Sequence, residues 1–297
     1  MAVTDRRAGD AATAPKIERL TPSDAEALCP LSIEAGWNQV AADWRLMLSL
    51  GTGFGVRGTN GQWIGSALSL PLGPGISWLS MVLVTQPARG KGLGTRLLSR
   101  CLTEVEESGG AAGLDATEFG RPIYLPLGFC DVFPLSRWHA GAGARQAVAA
   151  PPGIAIRAAT PEDASRIGDY DRPRSGLARR PILAHLLSRA PRLAHIAARA
   201  DGTLAGYALA RDGYRAAHIG PVVADDEAIG LALLSAAFAA SGEPLIVDVP
   251  DAQAGIRGWL GQQGASAPRR FMRMLRGDAA GVGEASHIFA LAGPELA

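Results

Sequence analysis

The 297-residue chain is poor in cysteine: Cys29, Cys101 and Cys130 lie far apart and form no CxxC pair. That excludes a disulfide framework and a cysteine-type zinc site, and it points to a reducing cytoplasm. Five histidines show no HExxH or other ligand pair, so no metal is expected. No run reaches the ~18 consecutive apolar residues of a membrane span. Even the stretch Leu231–Ala240 is too short, and mean hydropathy of +0.11 is carried largely by Ala and Gly. The opening MAVTDRRAGDAATAPK has charges but no apolar core, which reads as a loose tail and not a signal peptide. Charge of one sign is missing too: 29 Lys and Arg against 28 Asp and Glu leave +1, which removes the electrostatic case for a nucleic-acid binder. A GxSxG nucleophile elbow is absent. Cys130 has no neighbouring His or cation in sequence to lower its pKa and is expected to be a buried packing thiol. What remains, at 47% hydrophobic and 19% charged, is a folded cytoplasmic protein long enough for two domains of ~100–200 residues.

The two domains are copies. Ile17-Glu-Arg-Leu-Thr-Pro-Ser-Asp24 is echoed by Ile156-Arg-Ala-Ala-Thr-Pro-Glu-Asp163. In each, a strand end runs into a helix start, with Thr21 or Thr160 as N-cap, Pro22 or Pro161 at N1, and Asp24 or Asp163 at N3. Further matches follow in order: a hairpin turning at Asn60-Gly61 or Asp201-Gly202, read as type I′, then Gly65-Ser-Ala-Leu or Gly206-Tyr-Ala-Leu, then the apolar strands Trp78–Val84 or His218–Ala224. The offset stays near ~140 residues throughout, which chance does not produce. Ala140–Pro152, rich in Ala, Gly and Pro, is the natural linker. Each copy reads as an α/β or α+β layer structure with helices on a sheet.

The copies differ after the fourth strand. The first carries Gln86-Pro-Ala-Arg89-Gly90-Lys91-Gly92-Leu93-Gly94-Thr95, followed by a helix with Leu93, Leu97, Leu98, Cys101, Leu102 and Val105 on one face. Glycines at a helix start let successive backbone N–H groups face one anion, and the helix dipole with Arg89 and Lys91 adds positive potential. A diphosphate is the natural guest. GxxxxGK[ST] is absent, and the Rossmann spacing fails because Gly94 comes one position early. At the same place the second copy has Asp225-Asp226-Glu227, which would repel a pyrophosphate.

Gln86-x-x-Arg89-Gly90-x-Gly92-x-Gly94 resembles the coenzyme A pyrophosphate loop of the GNAT (GCN5-related N-acetyltransferase) superfamily. Tyr124-Leu-Pro-Leu-Gly128-Phe129 is similar to that family's late segment, in which a tyrosine precedes Gly-Phe by four residues. The resemblance covers about Ile17–Trp138, and the duplication resembles the tandem GNAT proteins. It implies two GNAT-like domains, each a mixed, mostly antiparallel sheet flanked by helices. The expected boundaries are a tail over 1–14, a catalytic acetyl-CoA-binding domain over 15–140, a linker over 141–152, a degenerate domain over 153–278 and a C-terminal segment over 279–297. In the second copy Leu260 stands where Tyr124 stands in the first.

The resemblance further implies that Leu83, Val84 and Thr85 offer backbone groups to pantetheine. Arg89, Gly90, Lys91, Gly92, Leu93, Gly94 and Thr95 would hold the pyrophosphate. Tyr124 would give a proton to the leaving thiolate, unless it merely packs helix against sheet. No carboxylate stands on the fourth strand. Asp115 is therefore the nearest candidate for the base, with backbone capping as its alternative role. Trp37, Asn38 and Gln39 border the acceptor cleft in this reading, although aromatics at such spacing also serve as core. The expected activity is transfer of acetyl from acetyl-CoA to a small-molecule amine by direct attack in a ternary complex, with no metal. A non-catalytic acyl-CoA sensor and a protein N-acetyltransferase are the rivals. Homodimer formation stays open, because GNAT lobes pair both within and between chains.

Overall fold

The computed structural model describes residues 15–143, 145–279, 282 and 285–297; the tail expected over 1–14 lies outside them. The first half runs β1 (Ile17–Leu20), α1 (Ala25–Glu34), α2 (Ala41–Leu50), β2 (Thr52–Arg57), β3 (Trp63–Pro71), β4 (Ile76–Val84), α3 (Leu93–Glu107), β5 (Ala111–Thr117), α4 (Arg121–Tyr124) and β6 (Cys130–Ala140). The second half repeats this order with β7 (Ile154–Ala158), α5 (Ala164–Ser175), α6 (Arg180–Arg189), β8 (His195–Arg199), β9 (Leu204–Arg211), β10 (Ala217–Ala224), α7 (Glu227–Ala239), β11 (Leu245–Pro250), α8 (Ala254–Gln262) and β12 (Ser266–Arg276). A short β13 (Ile288–Ala290) follows.

Local chemistry explains the repeated starts. The Asp24 carboxylate accepts from the Thr21 backbone N–H at 2.9 Å, and Asp163 accepts from Thr160 at the same distance, so both Thr-Pro-x-Asp segments cap themselves. The first hairpin departs from type I′. Only Gly61 takes positive φ (78°) and the register shifts at Arg57, so a type I turn is closed by a glycine bulge. In α3, Leu93, Leu97, Leu98, Cys101, Leu102 and Val105 are all buried, as their spacing requires. Cys130, expected to be buried, is instead exposed at the start of β6.

The strands form one continuous sheet in the order β1-β2-β3-β4-β5-β12-β6-β11-β10-β9-β8-β7, with β13 attached to β10. Only β4–β5 and β10–β11 are parallel; the rest of the named pairs are antiparallel. The last long strands of the two halves have changed places. Strand β12 lies against β5 of the first half (Arg273 opposite Asp115), and β6 lies against β11 of the second (Arg137 opposite Asp248). β6 and β12 pair with each other at the centre. The segment Arg269–Met274 of β12 is thus wedged between two strands of the first half.

The halves also share a core. One cluster joins Leu28, Trp44 and Trp78 to Leu186, Tyr207 and Leu296. Buried ion pairs cross the same boundary: Asp43 binds Arg211 at 2.8 Å and Arg189 at 3.0 Å. No helix among the described residues is long and apolar enough to cross a membrane.

Candidate active site

The cleft starts from a fault in β4. Ser66 pairs with Leu83 and Leu68 with Ser80, so Met81 and Val82 together oppose Ala67. Met81 is driven to φ 51°, and its carbonyl accepts from the Ser66 hydroxyl at 2.8 Å. Parallel pairing between β4 and β5 ends at Trp78–Gly113. Gly113 is required there, since a Cβ would stand 2.2 Å from the Trp78 ring. Beyond this point the two strands separate and leave a cleft of about 950 Å³. Its walls include Leu83 and Val84 on one side and Leu114 and Thr117 on the other.

The mouth of the cleft meets the start of α3. Gly90 (φ 74°) and Gly92 (φ 72°) adopt the left-handed conformation that places the loop, and the first backbone bond of the helix is Arg96 N–H to Gly92 C=O at 3.0 Å. The N–H groups of Leu93, Gly94 and Thr95 therefore have no partner within the helix. These three residues line the cleft with Arg89, Gly90 and Gly92. Arg89 is partly tied down, donating to the Val84 carbonyl at 2.9 Å. Lys91 and Thr85 do not line the cleft; Lys91 Nζ lies 3.4 Å from the Pro87 carbonyl, and the Thr85 N–H is taken by Ile64 at 2.9 Å.

Tyr124 sits on the opposite wall. The short helix α4 is held to β6 by Arg121, whose Nε donates to Asp131 at 2.9 Å. The following turn closes with Gly128 at φ 85°, and Phe129 packs edge-on to Tyr124 with ring centroids 5.9 Å apart. Desolvation pushes the Tyr124 phenol up to about 12, so it stays protonated at neutral pH. Its hydroxyl has no hydrogen-bond partner among the described residues.

Of the acceptor-side residues, Trp37 and Gln39 line the cleft and Asn38 does not. Asn38 is a buried clamp between the halves, accepting from the Arg215 N–H at 2.9 Å and donating to the Ala216 carbonyl at 2.9 Å. Asp115 reaches the cleft, but its carboxylate is fully buried and bound by Arg273 through two bonds of 2.8 Å. Desolvation raises its pKa while Arg273 opposes that shift. Neither base nor backbone cap describes this geometry: Asp115 locks β5 to the exchanged strand β12. Sequence reasoning also missed Arg137, Phe271, Pro294 and Glu295, which line the cleft. The exchanged strands and the segment Gly293–Ala297 bring them there from distant positions.

The equivalent place in the second half is filled. Strand β10 separates from β11 after Ile219, but β13 pairs with β10 at Val222 and Val223. A Cβ on Gly220 would stand 1.8 Å from the Leu291 carbonyl oxygen. The start of α7 is capped internally, since the Asp226 carboxylate accepts from the Ile229 N–H at 2.9 Å. Asp225 is held by Arg174 and the Tyr170 hydroxyl, and Glu227 by the Gly255 N–H. The three acids are structural groups, and Leu260 is buried in the core.

In the first half a bulged, splayed strand pair opens onto a glycine-rich helix start, within an order of elements that the second half repeats. Residues 25–123 match the family model described as Acetyltransferase (GNAT) family, and residues 167–290 match an Acetyltransferase (GNAT) domain. The chain belongs to the GNAT N-acetyltransferases and carries two GNAT domains in tandem. It is 24% identical over 218 residues to the uncharacterized N-acetyltransferase YitH of Bacillus subtilis (strain 168), covering 73% of this chain and 76% of that protein. Among solved structures, a GCN5-related N-acetyltransferase from Sphaerobacter thermophilus matches with TM-score 0.63, 18% identity, and coverage of 88% and 95%. A tandem GNAT protein from the clavulanic acid biosynthesis pathway matches with TM-score 0.59, 16% identity, and coverage of 89% and 99%. At such identities the structural matches speak to the fold alone.

Proposed function

We propose that the first half binds acetyl-CoA and transfers its acetyl group to the amine of a small molecule by direct attack in a ternary complex. The observation that carries this is the single continuous cleft: unpaired N–H groups of α3 at one end, splayed β4 backbone along its wall, and protonated Tyr124 facing it. The residues suit the coenzyme. Amides of Leu93, Gly94 and Thr95 offer a pyrophosphate site with the dipole of a 15-residue helix behind them, and Arg89 adds charge. Leu83 and Val84 stand where a pantetheine arm would follow the strand.

When bound, acetyl-CoA supplies an activated acyl carbon and a thiolate leaving group. The chain's own contribution is to align the two reactants and to hold a proton on Tyr124 for the departing sulfur. The second half serves as a scaffold in this reading, because β13 and the Asp226 cap occupy what would be its coenzyme site. Calorimetric titration tests the proposal. One acetyl-CoA per chain is expected, with affinity lowered at least tenfold by Arg89→Glu. Two sites would overturn the scaffold role, and no binding would overturn the acetyl-CoA reading.

A further inference from the structure

Residues Gly293–Ala297 run into the interior of the molecule. Leu296 and Ala297 are buried, and the Ala297 main-chain oxygen accepts from the buried Arg179 guanidinium. The Pro294 carbonyl accepts from Trp78 Nε1 at 2.8 Å. Trp78 is the residue at which β4 and β5 part, so this bond anchors the segment at the root of the cleft. Between these anchors the Glu295 side chain lies in the cleft wall, 2% exposed.

The two carboxylate oxygens of Glu295 are in different situations. Oε1 accepts from Arg211, which also donates to Asp43 at 2.8 Å. Oε2 is buried with no hydrogen-bond partner among the described residues. The Gln39 side-chain oxygen, on the same cleft and 3% exposed, is also without a donor. Arg137, the guanidinium nearest in character on this wall, is committed to Asp248 through bonds of 2.8 and 2.7 Å. Buried acceptors left without donors are costly, and their complement is a group that carries several N–H donors and positive charge.

We propose that Glu295 Oε2 and the Gln39 side-chain oxygen form the seat for the acceptor's amine, which enters as its ammonium ion. The inference rests on the coenzyme reading above. Glu295 first takes one proton from the ammonium and passes it to solvent, which frees the nitrogen lone pair for attack on the thioester carbon. As the N–C bond forms and the C–S bond breaks, Glu295 takes a second proton from the nitrogen and the thiolate receives the Tyr124 proton. Tyr124 is then reprotonated at the expense of Glu295, so that across the cycle the ammonium gives up two protons, one to sulfur and one to solvent. A carboxylate or phosphate at this seat would face two unpaired oxygens and be rejected.

Two stable thioethers test this without knowledge of the acceptor: S-(2-aminoethyl)-coenzyme A, whose ammonium lies beyond the sulfur, and the nearly isosteric S-propyl-coenzyme A. Titration into the wild-type protein is expected to show the aminoethyl compound binding at least roughly tenfold more tightly, the scale of a charge-assisted hydrogen bond. Glu295→Gln should erase that preference while leaving S-propyl binding within twofold. Equal wild-type affinities for the two compounds would overturn the amine seat, and so would a preference that survives Glu295→Gln. The wild-type comparison stands even if the variant does not fold. Failure of both compounds to bind would instead overturn the coenzyme reading, and this proposal with it.

Discussion

Tyr124 is desolvated, its phenol pushed up to about 12, with no hydrogen-bond partner among the described residues to stabilise a phenolate. In the proposed function a group in that state serves as the acid. Tyr124→Phe is expected to lower kcat by ~10²–10⁴-fold while the acetyl-CoA Kd stays the same, read by steady-state kinetics beside calorimetry. An unchanged kcat would remove the tyrosine from the chemistry. A second residue-scale expectation concerns His218, which is fully buried and whose pKa is pushed down to about 3, chiefly by desolvation. The folded protein keeps this imidazole neutral, whereas the unfolded chain protonates near its ordinary value of ~6.5. Stability is therefore fully present above pH ~6.5 and is lost as pH falls toward 3, by up to about 1.4 kcal/mol per pH unit from this group. His218→Gln should flatten the acid side of a stability–pH profile obtained by urea unfolding, and an unaltered slope would contradict the assignment.

At the scale of elements, the cleft depends on two local irregularities. The Met81 bulge turns β4 away from β5, and Gly113 lets the Trp78 ring lie flat against β5 just before they part. Gly113→Val puts side-chain atoms where the ring stands. It is expected to destabilise the protein by about 1–3 kcal/mol, the usual range for overpacking, and to weaken acetyl-CoA binding. Chemical denaturation with calorimetry would check both, and a variant as stable as wild type would show that the ring relocates freely. The same element-level comparison separates the two halves in the proposed function. Helices α3 and α7 both follow a bulged strand, but α7 carries its own carboxylate cap and β13 lies in the gap beside β10.

Across the whole molecule, the exchange of β6 and β12 makes each half complete the other's sheet. Removing the second half would strip β5 and β6 of β12, and would also remove Arg273, leaving the Asp115 charge buried without its partner. We therefore expect a single cooperative unfolding transition by calorimetry, with the van't Hoff and calorimetric enthalpies equal. Residues 15–152 expressed alone should fail to give a soluble folded unit, and co-expression with residues 153–297 should restore one. Two resolved transitions, or a stable isolated first half, would show that the shared core and ion pairs contribute less than their burial suggests. The Asp43 pairs span the same boundary. Asp43→Ala leaves Arg211 facing Glu295 alone and is expected to cost about 3–5 kcal/mol in urea unfolding.

Repeats, helix starts, the glycine-rich loop and the Tyr124 spacing were legible in the sequence because each is a local relation among residues a few positions apart. The Thr-Pro-x-Asp caps form as written, and the apolar face of α3 is buried residue for residue. That the second copy's acids close its helix start against anions follows from the same local logic, although their structural partners do not. What only the tertiary structure decided is non-local: which strand lies beside β5, that Asp115 is consumed by Arg273, that Asn38 clamps the halves, and that Glu295 reaches the cleft from residues 293–297. Strand order and ion pairing depend on the free energy of burying whole surfaces against one another. Two copies of similar pattern can satisfy that requirement by pairing within themselves or by exchanging strands, so the one-dimensional pattern is the same in either case.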